Sequence, residues 1–374
     1  MKKWQIIDLI RSASILAVMG LHTSWIYRNI ENPWGRLLWN HFQRNGLYGV
    51  YLFFVVSGFL ISSIIGNDSG GLFNPHFRKF YVRRAGRILP LYIFSIVLGL
   101  AIFIFTPHSI SNYWRVQTFF NTGRGFDPLF WASLATFSIN FLFALNPLVK
   151  YGLHWWLLWS LSVEEQFYFL FPAALKWLKN SRNLLLFLGA FIFLGPLWRT
   201  AAYFYDPQNI YLQIYFSLGA FDLIAFGILL YMAVEKYRLV FSKNKKISFF
   251  TCLMGFVVMF VVYAWTDVAQ AFDRIYASTA MAAGLFCFLL GGLHLEIFES
   301  RYLRWFSYPG KYCFGVYIFH QTIFCWLYPF FLLRMGTFIA FSATTVICVL
   351  VAAVSYHFFE MPVNQFIRKK YSGA

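Results

Sequence analysis

The chain has 374 residues, of which 60% are hydrophobic, 22% aromatic and only 12% charged. A soluble domain carries about twice that charged fraction, so the composition excludes a soluble globular protein and indicates a polytopic membrane protein. A net charge of +17 in such a chain records Lys- and Arg-rich cytoplasmic loops facing anionic lipid, and no nucleic-acid partner is expected.

Apolar stretches near 5–27, 47–66, 88–107, 128–146, 155–175, 183–200, 213–234, 247–265, 276–297, 312–332 and 336–358 are candidate spans. Loop charge decides which of them cross. If 128–146 stays on one side, the loops 67–87, 176–182, 235–246 and 298–311 join both termini and hold 21 Lys and Arg, against nine opposite. If it crosses, 14 of those charges move out and four move in. The positive-inside rule prefers the first arrangement. The expected fold is therefore an all-α transmembrane helical bundle of about ten spans with both termini cytoplasmic. In it, 108–154 is an external excursion and 128–146 a re-entrant or interfacial segment.

The start, MKKWQIIDLIR, has no small-residue cleavage site and reads as an uncleaved first helix. The whole of 1–374 reads as one membrane domain, with no internal repeat and no soluble domain at either end. Cys252, Cys287, Cys313, Cys325 and Cys348 fall singly in apolar stretches without Cys/His ligand spacing. They read as small core residues, and no metal is expected.

Ionisable side chains inside a span are expensive and mark function by default. The first span carries Arg11 and His22. An 11-residue separation is about three helical turns plus roughly 20°, so both project from one face about 16 Å apart along the axis. The topology puts Arg11 near the cytoplasm and His22 near the outer surface, as if a ligand lay along the helix. Next comes a basic cluster, Arg83, Arg84 and Arg87, ahead of Pro90. Arg84 and Arg87 share a helical face, and their planar guanidinium forks suit phosphate; a plain topology anchor would also look like this.

In WSLSVEEQFY, two adjacent carboxylates fall at mid-membrane. Trp156, Ser160, Glu164 and Tyr168 recur every fourth residue and share a face, whereas Glu165 points about 100° away. A buried network tying helices together is the plainer reading. Asp222, His320, His357 and Glu360 are further ionisable groups in or at the ends of late spans. A single histidine such as His320 on an apolar helix is usually a satisfied structural group.

These segments together resemble the acyltransferase-3 family of integral membrane acyltransferases. The resemblance rests on Leu9-x-Arg11 with His22, on Phe54-Val55-Val56-Ser57-Gly58-Phe59-Leu60, and on Arg84-x-x-Arg87-Ile88-x-Pro90-x-Tyr92. It continues through Trp159-Ser160-Leu161-x-x-Glu164-x-x-Phe167-Tyr168, Gly310 with Tyr317-x-x-His320, and Glu360-x-Pro362. Each pattern is weak alone; the ordered set, spread over essentially the whole chain, is specific. Cys313-Phe314 stands where the family often has Ser-Tyr.

The resemblance implies transfer of an acyl group, usually acetyl, from cytoplasmic acyl-coenzyme A to a hydroxyl of a surface polysaccharide or its lipid-linked precursor. Some members carry an added esterase-like domain, which these residues do not contain. Acyl-CoA is then the donor substrate, a carbohydrate the acceptor and the cell membrane the site; no permanently bound cofactor is expected. Coenzyme A, with phosphates at one end and a thioester at the other, matches the Arg11-to-His22 separation. Arg11, Arg84 and Arg87 would hold the phosphates. His22 would act as general base and Glu164 would orient it. Ser57, Ser160, Tyr168 and His320 are candidate contacts to substrate or to the developing oxyanion. A transporter or flippase would also line a path with buried charges, but its paired halves with broken helices are absent from the sequence.

Overall fold

The structure, a computed structural model, describes residues 4–23, 33–105, 128–146, 153–268, 270 and 272–371. The described residues are helical, without strands. In chain order the helices are α1 (Gln5–Leu21), α2 (Pro33–Arg44), α3 (Tyr48–Ser69), α4 (Phe77–Phe105), α5 (Pro128–Ala135), α6 (Ile139–Leu145) and α7 (Leu158–Leu178). They continue with α8 (Ser181–Tyr205), α9 (Phe221–Lys243), α10 (Lys245–Trp265), α11 (Asp273–Gly292), α12 (Cys313–Met335), α13 (Thr337–Ser355) and α14 (Met361–Tyr371). Shorter helices, among them Ile210–Ile214 and Arg301–Ser307, and single turns join several of them.

Each expected span other than 128–146 is overlapped by one long helix: α1, α3, α4, α7 to α13. Among the described residues, seven helical runs are long and apolar enough to cross a membrane by length and composition alone. α1, α7 and α9 fall outside that set: α1 has only 17 residues, α7 carries the part-buried Glu164, Glu165 and Gln166, and α9 carries the exposed Glu235, Lys236 and Arg238 besides the buried Asp222.

The segment 128–146 is broken. α5 and α6, of eight and seven residues, are separated at Thr136–Ser138, where Phe137 takes a left-handed φ of 52°. At 1.5 Å per residue neither reaches even half of a roughly 30 Å hydrocarbon core. Irregular backbone at membrane depth is tolerated where protein covers it. Here Gln166 Nε2 donates to the Phe137 carbonyl at 2.6 Å and Tyr92 stacks on Phe137 with ring centroids 4.7 Å apart. The rest of the expected excursion, 108–127 and 147–152, lies outside the described residues, as does the expected end of the first span beyond Thr23.

Two boundaries differ from expectation. The basic stretch before Pro90 is not a loop but the opening of α4. Lys and Arg are good helix formers, and Lys79 and Arg83 both pair with Asp68 at the end of α3, which folds this stretch back onto its neighbour. The sixth of the ten expected spans, 213–234, starts at Phe221 rather than 213. Before it, Asn140 Nδ2 donates to the Tyr215 carbonyl and to Ser217 Oγ, both at 3.0 Å, replacing helical bonds with side-chain bonds from α6.

α3 is apolar on all sides and sits at the centre, packed by α1, α7, α9 and α11. Over an 18-residue apolar stretch of its run 72% of the residues are buried, against 17% over such a stretch of α10, whose apolar surface faces outward. A helix without a polar face belongs inside, and one exposing Phe249, Phe250, Met254 and Phe260 belongs against lipid. At the α3–α9 crossing, Gly58 meets the Ile224 carbonyl and Gly227 meets the Val55 carbonyl, so a side chain at either would collide with backbone.

Candidate functional site

α1, α3, α4, α7 and α12 enclose a cavity of about 860 Å³, its mouth included. Three arginines reach it, Arg11 from α1 and Arg84 and Arg87 from α4, against one lining carboxylate, Glu164 of α7. Arg84 and Arg87 share a face because α4 is already helical there. On α7, Ser160, Glu164 and Tyr168 all line the cavity, as their four-residue spacing requires. Trp156 does not. The helix restarts at Leu158, and Trp156, in the turn Leu153–Trp156 before it, bonds the Tyr215 hydroxyl at 2.7 Å.

The three cations differ in their partners. Arg11 Nη1 lies 3.0 Å from Asp8 Oδ1, one turn back on α1. This i,i+3 pair was readable in the sequence and explains how Arg11 is tolerated there. Arg84 lies 3.6 Å from Glu164 Oε2 and 3.3 Å from Glu165 Oε1, and its guanidinium carbon is 3.7 Å from the Tyr168 ring centroid. Arg87 is exposed to the cavity and has no ion-pair or hydrogen-bond partner among the described residues. The two adjacent carboxylates therefore meet one cation from two sides. Glu165, pointing away from Glu164, faces a second space of about 790 Å³ that also touches Arg84 and Tyr168.

Glu164 was expected to orient His22; the structure pairs it otherwise. Its oxygens accept from Ser57 Oγ at 2.8 Å and Tyr168 Oη at 3.4 Å and face Arg84. His22, directly after α1, places its Nδ1 2.8 Å from Nε2 of His320. His320 is fully buried on α12, and its Nδ1 lies 2.7 Å from the Tyr317 carbonyl. The histidine held to be structural in the sequence is thus the one beside His22.

Tyr317 links this pair to the cavity. Its hydroxyl donates to the Leu157 carbonyl at 2.6 Å, so the 2.7 Å contact with Ser160 Oγ has Ser160 as donor. Each of the hydroxyls expected to face an oxyanion thus has its single proton directed elsewhere: Ser57 and Tyr168 to Glu164, and Ser160 to Tyr317. Cys313 also lines the cavity, against Arg11 and within electrostatic reach of Arg87. Its departure from the Ser-Tyr pattern therefore falls at the basic end, away from His22.

The other ionisable groups are structural or peripheral. Asp222 forms a fully buried pair with Arg199, Oδ2 to Nη2 at 2.9 Å, and both also engage Thr279. His357 Nε2 lies 3.2 Å from Tyr312 Oη. Glu360 ends a π-helical turn, Tyr356–Glu360, where Ser355 Oγ donates to it at 3.1 Å and Gly315 of α12 approaches it closely. Such turns recur at functional sites.

The sequence pattern of the acyltransferase-3 family, an acyltransferase domain, matches residues 4–357. Peptidoglycan O-acetyltransferase OatA of Listeria monocytogenes is 25% identical over 380 residues, covering 96% of this chain and 55% of that protein. A putative peptidoglycan O-acetyltransferase of Bacillus subtilis, YrhL, is 25% identical over 391 residues, covering 96% and 54%. O-acetyltransferase OatA of Staphylococcus aureus is 24% identical over 335 residues, covering 86% and 53%. The chain therefore spans about half the length of these relatives. No solved structure matches it. With the family pattern running from the first turn of α1 to the end of the last long helix, the chain belongs to the acyltransferase-3 family of membrane proteins.

Proposed function

We propose that the chain is a membrane O-acetyltransferase that moves an acetyl group from cytoplasmic acetyl-CoA to a hydroxyl of peptidoglycan or a related surface polysaccharide. The observation carrying this reading is the division of labour along α1. Arg11 lines a cavity with three cations, and His22, about 16 Å further along the same face, meets a second histidine. The similarity to peptidoglycan O-acetyltransferases supports the acceptor class.

In this mechanism Arg84, Arg87 and Arg11 bind the phosphates of the donor, with Arg87 supplying a guanidinium not already paired. The thioester arm runs along α1 toward His22. There the imidazole takes the proton from the acceptor hydroxyl as its oxygen attacks the thioester carbonyl. The carbon–sulfur bond breaks, and the departing thiolate takes the proton back from His22. The products are the acetyl ester and free coenzyme A. Both termini are cytoplasmic in this reading, which brings the arginine end of the cavity to the donor and His22 toward the acceptor. Glu164 holds Arg84 and Ser57 in place rather than assisting His22.

The test is His22→Ala in cells that depend on this chain for O-acetylation. Loss of glycan acetate with normal membrane insertion is expected. Retention of half the acetate by a well-expressed variant overturns the assignment of His22.

A further inference from the structure

We infer that His320 is a positioning residue that fixes which nitrogen of His22 carries the proton and where its basic nitrogen points. The inference rests on His22 being the base. It comes from a chain of bonds between α1 and α12, 298 residues apart in sequence.

The Tyr317 carbonyl can only accept, so the nitrogen 2.7 Å from it, His320 Nδ1, carries hydrogen. A neutral His320 then presents a lone pair at Nε2. That lone pair lies 2.8 Å from His22 Nδ1, which must donate to it. The proton of neutral His22 is thereby placed on Nδ1, and its lone pair on Nε2, the nitrogen turned away from His320. A base needs that arrangement: one nitrogen held by an orienting acceptor, the other basic. When His22 takes the acceptor's proton, His320 Nε2 still accepts from Nδ1 of the imidazolium.

The roles are not interchangeable. His320 is fully buried and both its nitrogens are engaged by Tyr317 and His22, whereas His22 is part-exposed at the end of α1. The position that a carboxylate fills in many triads is filled here by a neutral imidazole, itself locked by a helix carbonyl. The ring centroids lie 4.9 Å apart at 32°, so the contact is edge-on through the nitrogens and not a stack.

Two amide substitutions separate positioning from packing. The oxygen of His320→Gln can reach the place of Nε2 and accept from His22. His320→Asn reaches only the place of Nδ1, so it keeps the bond to the Tyr317 carbonyl and loses His22. The assay follows release of coenzyme A from acetyl-CoA by the full chain in membrane vesicles, with disaccharide-peptide fragments of peptidoglycan as acceptor. His320→Asn is expected to lower kcat at least about tenfold with KM for acetyl-CoA within about twofold, and His320→Gln to recover to within about threefold of the unaltered chain.

Asn retaining full kcat, Gln no better than Asn, or a rise in KM with kcat unchanged would overturn the inference. His22→Ala in the same assay keeps the two ideas apart. If it is inactive while His320→Asn is not, the base stands and the positioning role falls; if His22→Ala is active, the base assignment itself falls.

Discussion

The guanidinium carbon of Arg84 sits 3.7 Å from the ring centroid of Tyr168, while its nitrogens face Glu164 and Glu165. One planar cation thus ties α4 to α7 through a ring and two carboxylates. A lysine can keep the charge but neither the stack nor the fork. Arg84→Lys is therefore expected to weaken acetyl-CoA binding about tenfold, corresponding to roughly 1.4 kcal/mol, and also to lower thermal stability. Arg87→Gln, which breaks no pair in the described structure, should weaken binding by a similar factor and leave stability unchanged. Calorimetry and melting of the purified chain in detergent measure both. Unchanged affinity in the two variants would return the cluster to a topology signal.

The charge distribution makes a separate prediction about sidedness. Cysteines placed at Gly70 and Lys245 should be protected from a membrane-impermeant thiol reagent in intact cells. One at Gln208, in the exposed turn between α8 and α9, should react. Labelling at 245 from outside would mean that the later half of the chain is inverted relative to the positive-inside reading.

Gly58 and Gly227 test the central crossing. Each faces backbone of the other helix, which cannot move aside as a side chain can. Gly58→Ala or Gly227→Ala should destabilise the bundle by about 1–3 kcal/mol, the usual range for overpacking. Thermal unfolding in detergent that matches the unaltered chain would show that α3 and α9 are less closely packed than described.

Arg199 and Asp222 form a pair with almost no exposure, at 1% and 0% of their side-chain surfaces. Removing one partner of such a pair leaves a buried charge and costs about 3–5 kcal/mol. Asp222→Ala should accordingly insert poorly or melt far below the unaltered chain, and the expected loss is of folded protein. Normal yield with selective loss of acetyl transfer would instead place Asp222 in the chemistry.

Much of the site was readable because helical spacing reports what one helix presents. Ser160, Glu164 and Tyr168 line the cavity together, and Arg84 with Arg87 does the same on α4. Spacing is silent about which helices face each other. The His22–His320 contact joins the two ends of the chain, so no window of sequence contains it. Glu164 looked like the partner of His22 because a carboxylate orients the base in a triad, yet Arg84 and Ser57 occupy it. Trp156 was misplaced for a local reason, a turn at Leu157 that resets the register. The break at Phe137 was hidden because apolar composition continues through 128–146 while the backbone does not.

Tyr317 serves two neighbours with two different parts of itself. Its carbonyl, fixed by α12, faces His320, whereas its phenol reaches Ser160 and Leu157 at the cavity wall. The phenol is positioned by side-chain torsions and held by those two hydrogen bonds. The carbonyl moves only if the helix unwinds. Displacing the ring would therefore cost its bonds to Leu157 and Ser160 but leave the frame that holds the histidines in place.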